Sequence, residues 1–142
     1  MIEYCGDLVR LEVAENRENR LYDKLVGAGT YVFRLDRLQC VDATRAGNMA
    51  HLINHSCEPN CFSRTITVHG TNHVVIFALR DIGVGEELSY DYRFSNDRET
   101  LACNCGAPKC RGIVNRESPH VDISMDGAAI RVPTSQLVRI PR

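Results

Sequence analysis

The chain alternates short apolar runs with turn residues over most of its length, a pattern typical of β-strands. Residues 69–72 (His-Gly-Thr-Asn) separate two alternating runs and therefore predict the loop of a β-hairpin. Residues 81–87 contain two glycines and predict a loop that leads to the next strand. The strands predicted in this way are 1–9, 30–35, 38–41, 62–68, 73–79 and a short one at Leu88.

One segment, residues 12–26, has a convincing helical period. Its apolar residues Val13, Leu21 and Leu25 fall on one stripe between charged side chains. Gly27-Ala-Gly29 follows and predicts the end of the helix. One helix among many short strands predicts a mainly β domain with short helices (α+β), built from small sheets.

The segment 116–142 differs in composition from the rest of the chain. Apolar residues alternate on both sides of Asp126-Gly127, a pattern that permits one more hairpin. A loosely ordered tail is the alternative. The sequence of this segment indicates no function.

Composition excludes several classes of function. The chain has 142 residues, enough for one domain with a core, and a net charge of −1. That charge gives no field that would attract nucleic acid or anionic lipid. The sequence contains no apolar run of about 18 residues and no basic-then-apolar leader. We therefore expect a soluble domain with neither a direct nucleic-acid partner nor a membrane partner.

Seven cysteines are many for a chain without a secretion signal, and an odd number cannot all pair. Three of them, Cys103, Cys105 and Cys110, lie within eight residues and favour a zinc site over disulfides. Tetrahedral zinc needs a fourth ligand from elsewhere in the chain, and Cys61 is one candidate by proximity. Reduced thiols without a metal are the alternative. Cys5 and Cys40 stand in apolar surroundings and are expected to be inert core residues.

Three motifs together carry a resemblance to a known family. Residues 51–61 read His-Leu-Ile-Asn-His-Ser-Cys-Glu-Pro-Asn-Cys, residues 86–92 read Glu-Glu-Leu-Ser-Tyr-Asp-Tyr, and the spacing Cys103-x-Cys105-x4-Cys110 follows. In this order they resemble the SET-domain protein lysine methyltransferases. Residues 27–115 look most like the trithorax branch, which methylates histone H3 near its N-terminus, and especially like its plant and algal members.

The resemblance implies a fold and a division of the chain. It implies the SET fold, in which residues 54–60 and 88–92 thread together as a pseudoknot. It also implies a SET domain at 1–94, a zinc-binding post-SET segment at 95–115 and a C-terminal tail at 116–142. The family has a Gly-x-Gly strand before the segment that matches 2–7, so we expect the sequence to be truncated at its N-terminus relative to the family's domain.

The resemblance also implies ligands. The methyl donor would be S-adenosylmethionine, and Cys57 of the Asn-His-Ser-Cys motif would be the fourth zinc ligand. His55 would hold the donor largely through its backbone, and Asn54 suits a polar ligand because an amide both donates and accepts hydrogen bonds. The positions that match cofactor-binding residues of the family are Thr30, Asn54, His55 and Asn104.

The expected chemistry is the attack of a lysine amine on a sulfonium methyl group. The amine must be neutral although its ordinary pKa is about 10.4, and an apolar channel favours that form. By resemblance, Tyr92 and Tyr90 are the catalytic residues, and Tyr31 and Phe33 line the substrate channel. Ordinary core packing is the alternative for each aromatic residue. Asp91 is expected to be a structural hydrogen-bonding residue, and Glu58, Glu86 and Glu87 are expected to be surface or turn residues.

The leading hypothesis is a nuclear histone methyltransferase that acts on the lysine at position 4 of histone H3. By resemblance its partners would be the histone H3 tail and activating subunits of the trithorax type, with residues 45–48 and the helix 12–26 as candidate surfaces. One alternative is a catalytically incomplete, zinc-stabilised module that binds a histone tail or another partner. A zinc-ribbon interaction domain of unrelated type is the other.

Overall fold

Small β-sheets and short helical segments make up the described part of the chain. The computed structural model describes residues 1–22, 31–94, 100–115, 120–123 and 129–132. The strands are β1 (Ile2–Glu3), β2 (Asp7–Arg10), β3 (Val32–Arg34), β4 (Gln39–Asp42), β5 (Asn54–His55), β6 (Cys61–Val68), β7 (Thr71–Ala78), β8 (Ser89–Tyr90), β9 (His120–Ile123) and β10 (Ala129–Val132). The helical segments are α1 (Leu11–Arg17), a π-helical turn (Glu18–Tyr22) and a 3-10 helix (Met49–Leu52). The predicted fold class, mainly β with short helices, is confirmed.

The largest sheet has the strand order β1-β7-β6-β8-β5, and its centre is the predicted hairpin of β6 and β7. Its loop is shorter than predicted, because Val68 already pairs with Thr71 and the turn consists of His69 and Gly70 alone. Both turn residues have positive φ, 49° and 80°, as a two-residue turn that matches the strand twist requires. Strand pairing thus extends into the segment that the sequence assigned to the loop.

Strand β8 lies between β5 and β6, although β5 and β6 are close neighbours along the chain. It runs parallel to both, with Asn54 opposite Ser89 and Cys61 opposite Tyr90. The buried side chain of Asn60 secures this insertion: its Nδ2 donates to the carbonyl of Glu87 at 2.8 Å, and its Oδ1 accepts from the amide of Ser89 at 2.9 Å. The residues that connect β5 to β6 are therefore locked against the segment that contains β8, which is the threading expected from the resemblance.

A second sheet, β2-β4-β3, is antiparallel throughout. Gly6, directly before β2, lies so close to β4 that an added Cβ would be 2.6 Å from the carbonyl oxygen of Asp42. A larger residue at position 6 would push β2 away from β4.

The helix differs from its prediction in length and in its buried face. Regular α-helix spans Leu11–Arg17, and residues 23–30, with Leu25 and the predicted glycine stop, lie outside the described residues. Val13 and Leu21 are 42% and 44% exposed, so the predicted apolar stripe is wrong. The buried face is instead formed by Ala14, Glu18 and Tyr22.

Asp42 explains this choice of face. Its buried carboxylate accepts hydrogen bonds from Arg17 at 2.8 Å and from the Tyr22 hydroxyl at 2.5 Å. Residues five apart diverge on an α-helix, and the wider π-helical turn brings them to the same side. A buried carboxylate without partners is costly, and this one therefore determines how the helix docks on the sheet.

The main core joins the two sheets. Its buried members are Tyr4, Leu35, Val41, Ala43, Ala50, Ile53, Cys61, Val74, Ile76 and Tyr90. Cys40 is buried in a smaller cluster under α1, as predicted. Cys5 is exposed, so its prediction as a core residue is wrong. It lies between β1 and β2, where its sulfur accepts from the side-chain amide of Asn48 at 3.5 Å.

The hairpin that the C-terminal sequence permits is present in the backbone. Strands β9 and β10 pair antiparallel, with Ile123 opposite Ala129 and His120 opposite Val132. In the part of the chain that the structure describes, no helix has the length and apolar character needed to cross a membrane.

Candidate active site and metal centre

Four cysteine thiols come together at one end of the large sheet. Cys57 follows β5, and Cys103, Cys105 and Cys110 come from the segment 100–115. All four Sγ atoms lie within 4.8 Å of one another, and those of Cys57 and Cys103 are 3.7 Å apart. A tetrahedral zinc with bonds of about 2.3 Å would place its sulfurs about 3.8 Å apart. The cluster therefore fits a structural zinc ion. Cys61, the alternative fourth ligand, is buried in the core instead.

Backbone amides surround these sulfurs. The amide of Cys57 donates to the Cys105 sulfur at 3.5 Å, and the amide of Arg111 donates to the Cys57 sulfur at 3.4 Å. Such bonds favour the thiolate, and those from the Cys57 and Ala107 amides lower the pKa of Cys105 to about 6. Burial raises the pKa of Cys103 to about 12. One thiolate forms readily here, whereas four adjacent thiolates need a divalent cation among them.

An aromatic ladder runs beside this cluster. The ring centroids of Tyr90 and Tyr92 are 4.8 Å apart, and those of Tyr92 and Phe94 are 5.3 Å apart. The Tyr92 hydroxyl donates to the carbonyl of Ile53 at 2.8 Å, which fixes the direction of its oxygen lone pairs. Burial raises the pKa of Tyr92 to about 12 and that of Tyr90 well above its ordinary value. Both hydroxyls are neutral at pH 7, so neither tyrosine serves as a base in the resting site.

The two predicted channel residues share one face of their segment. Tyr31 and Phe33 both pack against the main core cluster, as does Tyr92. Val32 between them points to the smaller cluster under the helix. This arrangement agrees with the period of two on an extended chain. The roles of Tyr31 and Phe33 as channel walls remain predictions.

The imidazole of His55 connects the tyrosine to the thiols. Its Nδ1 accepts from the backbone amide of Tyr92 at 3.1 Å, so the ring proton of the neutral form belongs on Nε2. That Nε2 lies 3.6 Å from the Cys57 sulfur and donates towards it. Burial lowers the pKa of His55 and favours this neutral form. Both ring nitrogens thus have partners within the chain, and a cofactor contact through the backbone of His55 remains a prediction.

A second connection runs through Asp91 and Arg111. The guanidinium donates two hydrogen bonds of 3.0 Å to the two carboxylate oxygens, and the two side chains are only 11% and 21% exposed. Asp91 lies between the two tyrosines, and Arg111 directly follows the zinc-ligand candidate Cys110. Asp91 is therefore a structural residue, in agreement with its prediction.

An open cleft of about 620 Å³ borders the thiols and the ladder. It contains three of the four predicted cofactor residues, Asn54, His55 and Asn104, and the fourth, Thr30, lies outside the described residues. The complete lining is Asn54, His55, Ser56, Glu87, Ser89, Tyr92, Ala102, Cys103, Asn104, Cys105 and Val114. The segment 100–115 thus supplies three of the four thiols and also part of the cleft lining.

The sequence analysis overlooked three residues of this site: Glu87, Phe94 and Arg111. Glu87 is exposed, as predicted, yet its carboxylate accepts from the Asn54 amide at 2.7 Å and faces the cleft. Phe94 continues the alternation of Tyr90 and Tyr92, a signal that the sequence does contain. Arg111 has no local signal, because its partner lies twenty residues earlier in the chain.

Comparison with known proteins connects this geometry to a family. The description of the matching family model is "SET domain", and the match covers residues 1–93. Histone-lysine N-methyltransferase TRX1 of Oryza sativa subsp. japonica is 57% identical over 139 residues, 96% of this chain and 13% of that protein. Histone H3-lysine(4) N-trimethyltransferase ATX1 of Arabidopsis thaliana is 53% identical over 138 residues, 97% of this chain and 13% of that protein.

A human protein gives a similar match. Histone-lysine N-methyltransferase 2B of Homo sapiens is 53% identical over 117 residues, 81% of this chain and 4% of that protein. The chain thus spans 13% or less of the length of these relatives. The trithorax-type resemblance is confirmed, and with a family match over residues 1–93 the chain belongs to the SET domain family.

Proposed function

We propose that this chain forms the catalytic region of an S-adenosylmethionine-dependent histone-lysine N-methyltransferase that acts on the lysine at position 4 of histone H3. The main support is the cleft, whose lining brings Asn54, His55 and Asn104 together with Tyr92. A cofactor in this cleft would lie next to the aromatic ladder. The choice of substrate rests on the names of the relatives, among which that of ATX1 specifies lysine 4 of histone H3.

Orientation of the lysine amine is the main contribution of Tyr92. Its hydroxyl proton is committed to the carbonyl of Ile53, so its oxygen can accept a hydrogen bond from the incoming amine. The aromatic ladder desolvates this position, and desolvation favours the neutral amine. S-adenosylmethionine would supply the methyl group as part of a sulfonium. The protein contributes alignment and exclusion of water rather than a base.

The tyrosine at position 90 bears on the number of methyl groups added. Its side chain is buried at 7% exposure and contacts Tyr92. A hydroxyl at this position occupies space that a methylated amine would need, and it can hold a water or the amine. We propose that the isolated domain favours monomethylation for this reason.

Zinc would be held by Cys57, Cys103, Cys105 and Cys110, and its contribution would be structural. It would fix residues 100–115, which form one wall of the cleft and carry Asn104. In such sites the free energy of metal binding becomes free energy of ordering. We therefore propose that zinc binding and cofactor binding are coupled.

The wider setting follows from the family. We propose nuclear localisation, the histone H3 tail as the bound partner, and activating subunits of the trithorax type. We also retain the division into a SET domain at 1–94, a post-SET segment at 95–115 and a tail at 116–142. Of the candidate partner surfaces, residues 45–47 are exposed, whereas Asn48 is engaged within the chain by a bond to the carbonyl of Glu3 at 2.8 Å.

The test is calorimetric titration of S-adenosylmethionine into the zinc-loaded chain, followed by methylation of an H3 N-terminal peptide. We expect micromolar binding, about −8 kcal/mol, and transfer that disappears when the lysine at position 4 is replaced by arginine. Tyr92→Phe keeps the ring and removes the hydroxyl, so binding should persist while the rate of transfer falls about 100-fold. A folded, zinc-containing chain that binds no S-adenosylmethionine would contradict the proposal and favour a histone-binding module.

A further inference from the structure

A side chain takes the place of a backbone partner where strands β3 and β4 stop pairing. Their register places Tyr31 opposite Ala43, one position beyond the paired strands. A hydrogen-bonded antiparallel pair exchanges two backbone bonds. One of them is present, from the Ala43 amide to the Tyr31 carbonyl at 2.9 Å. The amide of Tyr31 donates instead to the hydroxyl oxygen of Thr44 at 3.3 Å. The backbone at Tyr31 is therefore held by a side chain that a single substitution can remove.

Thr44 is itself anchored to the buried carboxylate of Asp42. Its backbone amide donates to Asp42 Oδ1 at 3.1 Å, and Asp42 is 1% exposed. Burial alone would raise the pKa of Asp42, but hydrogen bonds from Tyr22, Arg17 and Thr44 outweigh it and lower that pKa. The carboxylate is thus ionised at pH 7 and accepts only. Thr44 connects the Tyr31 amide to the charge that docks the helix on the sheet.

The remaining contacts of Tyr31 leave its amide as the point that Thr44 controls. The Tyr31 carbonyl accepts a second bond from the Tyr4 hydroxyl at 2.9 Å. The Tyr31 ring meets the His51 ring edge-on, with centroids 5.1 Å apart and an angle of 77° between the planes. Carbonyl, amide and ring are therefore each held by a different group. Neither Tyr31 nor Thr44 belongs to the lining of the cleft.

We propose that Thr44 is a positioning residue for methyl transfer: by holding the Tyr31 amide, it keeps the Tyr31 ring in place as a wall of the lysine channel. The inference rests on the proposed function, because it takes Tyr31 as such a wall. A ring that can recede aligns the amine less well, and this slows transfer. It also leaves more room for a methyl group already on the nitrogen. Thr44 should therefore influence both the rate and the preference between unmethylated and monomethylated lysine.

The variants separate the hydroxyl from the rest of the side chain. Thr44→Val keeps the branched shape and removes the hydroxyl, whereas Thr44→Ser keeps the hydroxyl. Thr67→Val is the matched control, because the Thr67 hydroxyl also donates to a side chain, Asn72 Oδ1 at 2.8 Å, but on the exposed end of the β6–β7 hairpin. Zinc content and unfolding midpoint establish that each variant is folded, and Thr44→Ala carries the test if Thr44→Val does not fold.

The assay uses the zinc-loaded chain and H3 N-terminal peptides that are either unmethylated or monomethylated at lysine 4. We expect Thr44→Val to lower kcat/KM for the unmethylated peptide about fivefold to tenfold. The ratio of the rate with the monomethylated peptide to that with the unmethylated peptide should rise about threefold or more. The affinity for S-adenosylmethionine, measured by calorimetry, should stay the same. Thr44→Ser should recover most of the rate, and Thr67→Val should match the parent chain in every measurement.

The possible failures differ in meaning. A Thr44→Val chain with the rate and the peptide preference of the parent would overturn this inference and leave the proposed function intact. Equal losses with both peptides would also overturn it, because Thr44 would then support the fold in general rather than the channel wall. A Thr44→Ser chain as slow as Thr44→Val would exclude the hydroxyl as the group that matters. Absence of transfer by the folded parent chain would overturn the proposed function itself and this inference with it.

Discussion

Replacement of Arg111 by methionine is the sharpest test of how the thiol-bearing segment supports the tyrosines. Methionine keeps an unbranched side chain and removes both hydrogen bonds to Asp91. Opposite charges about 3.5 Å apart attract by about 5 kcal/mol at an effective dielectric constant of about 20. Desolvation of the two groups offsets part of this, and the buried Arg111 Nε has no partner among the described residues. The carboxylate left behind is only 11% exposed, so we expect a loss of about 2–4 kcal/mol in the free energy of unfolding.

The assay is urea unfolding of the zinc-loaded chain at pH 7.5 for Arg111→Met, Asp91→Asn and the double variant. The double variant should lose less than the sum of the single losses, by a coupling energy of about 1.5–3 kcal/mol. Lys109→Met is the control from the same segment, because Lys109 Nζ lies 3.7 Å from Glu58 and its side chain is 86% exposed. Its loss should be below about 0.5 kcal/mol. Additive losses at Asp91 and Arg111, or a control as damaging as Arg111→Met, would refute this reasoning.

Two further predictions concern acid and metal. Hydrogen bonds from Arg80, Asn60 and the Gly83 amide lower the pKa of Glu86 from 4.5 to about 2. Because its pKa is lowered in the folded state, the ionised Glu86 carboxylate stabilises the fold at pH values above 4.5, and this stabilisation is lost as the pH falls towards 2. The difference in urea midpoint between the parent chain and Glu86→Gln should therefore shrink over this interval. A constant difference would contradict the prediction. Removal of zinc by a chelator should abolish S-adenosylmethionine binding while the β6–β7 hairpin keeps its amide protection; retained cofactor affinity would show that the segment 100–115 is ordered without metal.

Local patterns predicted the strands well and the helix poorly. The hairpin of β6 and β7 depends on alternation and a turn, both of which lie within one stretch of sequence. The buried face of the helix depends on Asp42, whose partners Tyr22 and Arg17 are 20 and 25 residues away in the sequence. Satisfying that carboxylate outweighs burial of Val13 and Leu21, and no helical period can show this.

The site shows the same division between local motifs and distant partners. The ligand set Cys57, Cys103, Cys105 and Cys110 came from motif resemblance, and the structure brings these residues together. Glu87 and Arg111 escaped the sequence analysis because their importance comes from Asn54 and Asp91, which only the inserted strand and the folded segment bring near. Residues whose role depends on a distant partner cannot be found from spacing along one chain.

The contacts of His55 and Arg111 explain why the metal centre and the reactive tyrosine belong to one unit. Both residues contact the Cys57 sulfur and the segment 90–92. The His55 ring lies between the Cys57 sulfur and the Tyr92 amide. Arg111 donates to the same sulfur from its backbone amide and to the Asp91 carboxylate from its side chain. A shift of Cys57 would therefore move the backbone of Tyr92 and the salt bridge beside it together. Because the Tyr92 hydroxyl is also fixed to the carbonyl of Ile53, its ring is held at both ends, and correct placement of the thiols becomes a condition for correct placement of the hydroxyl.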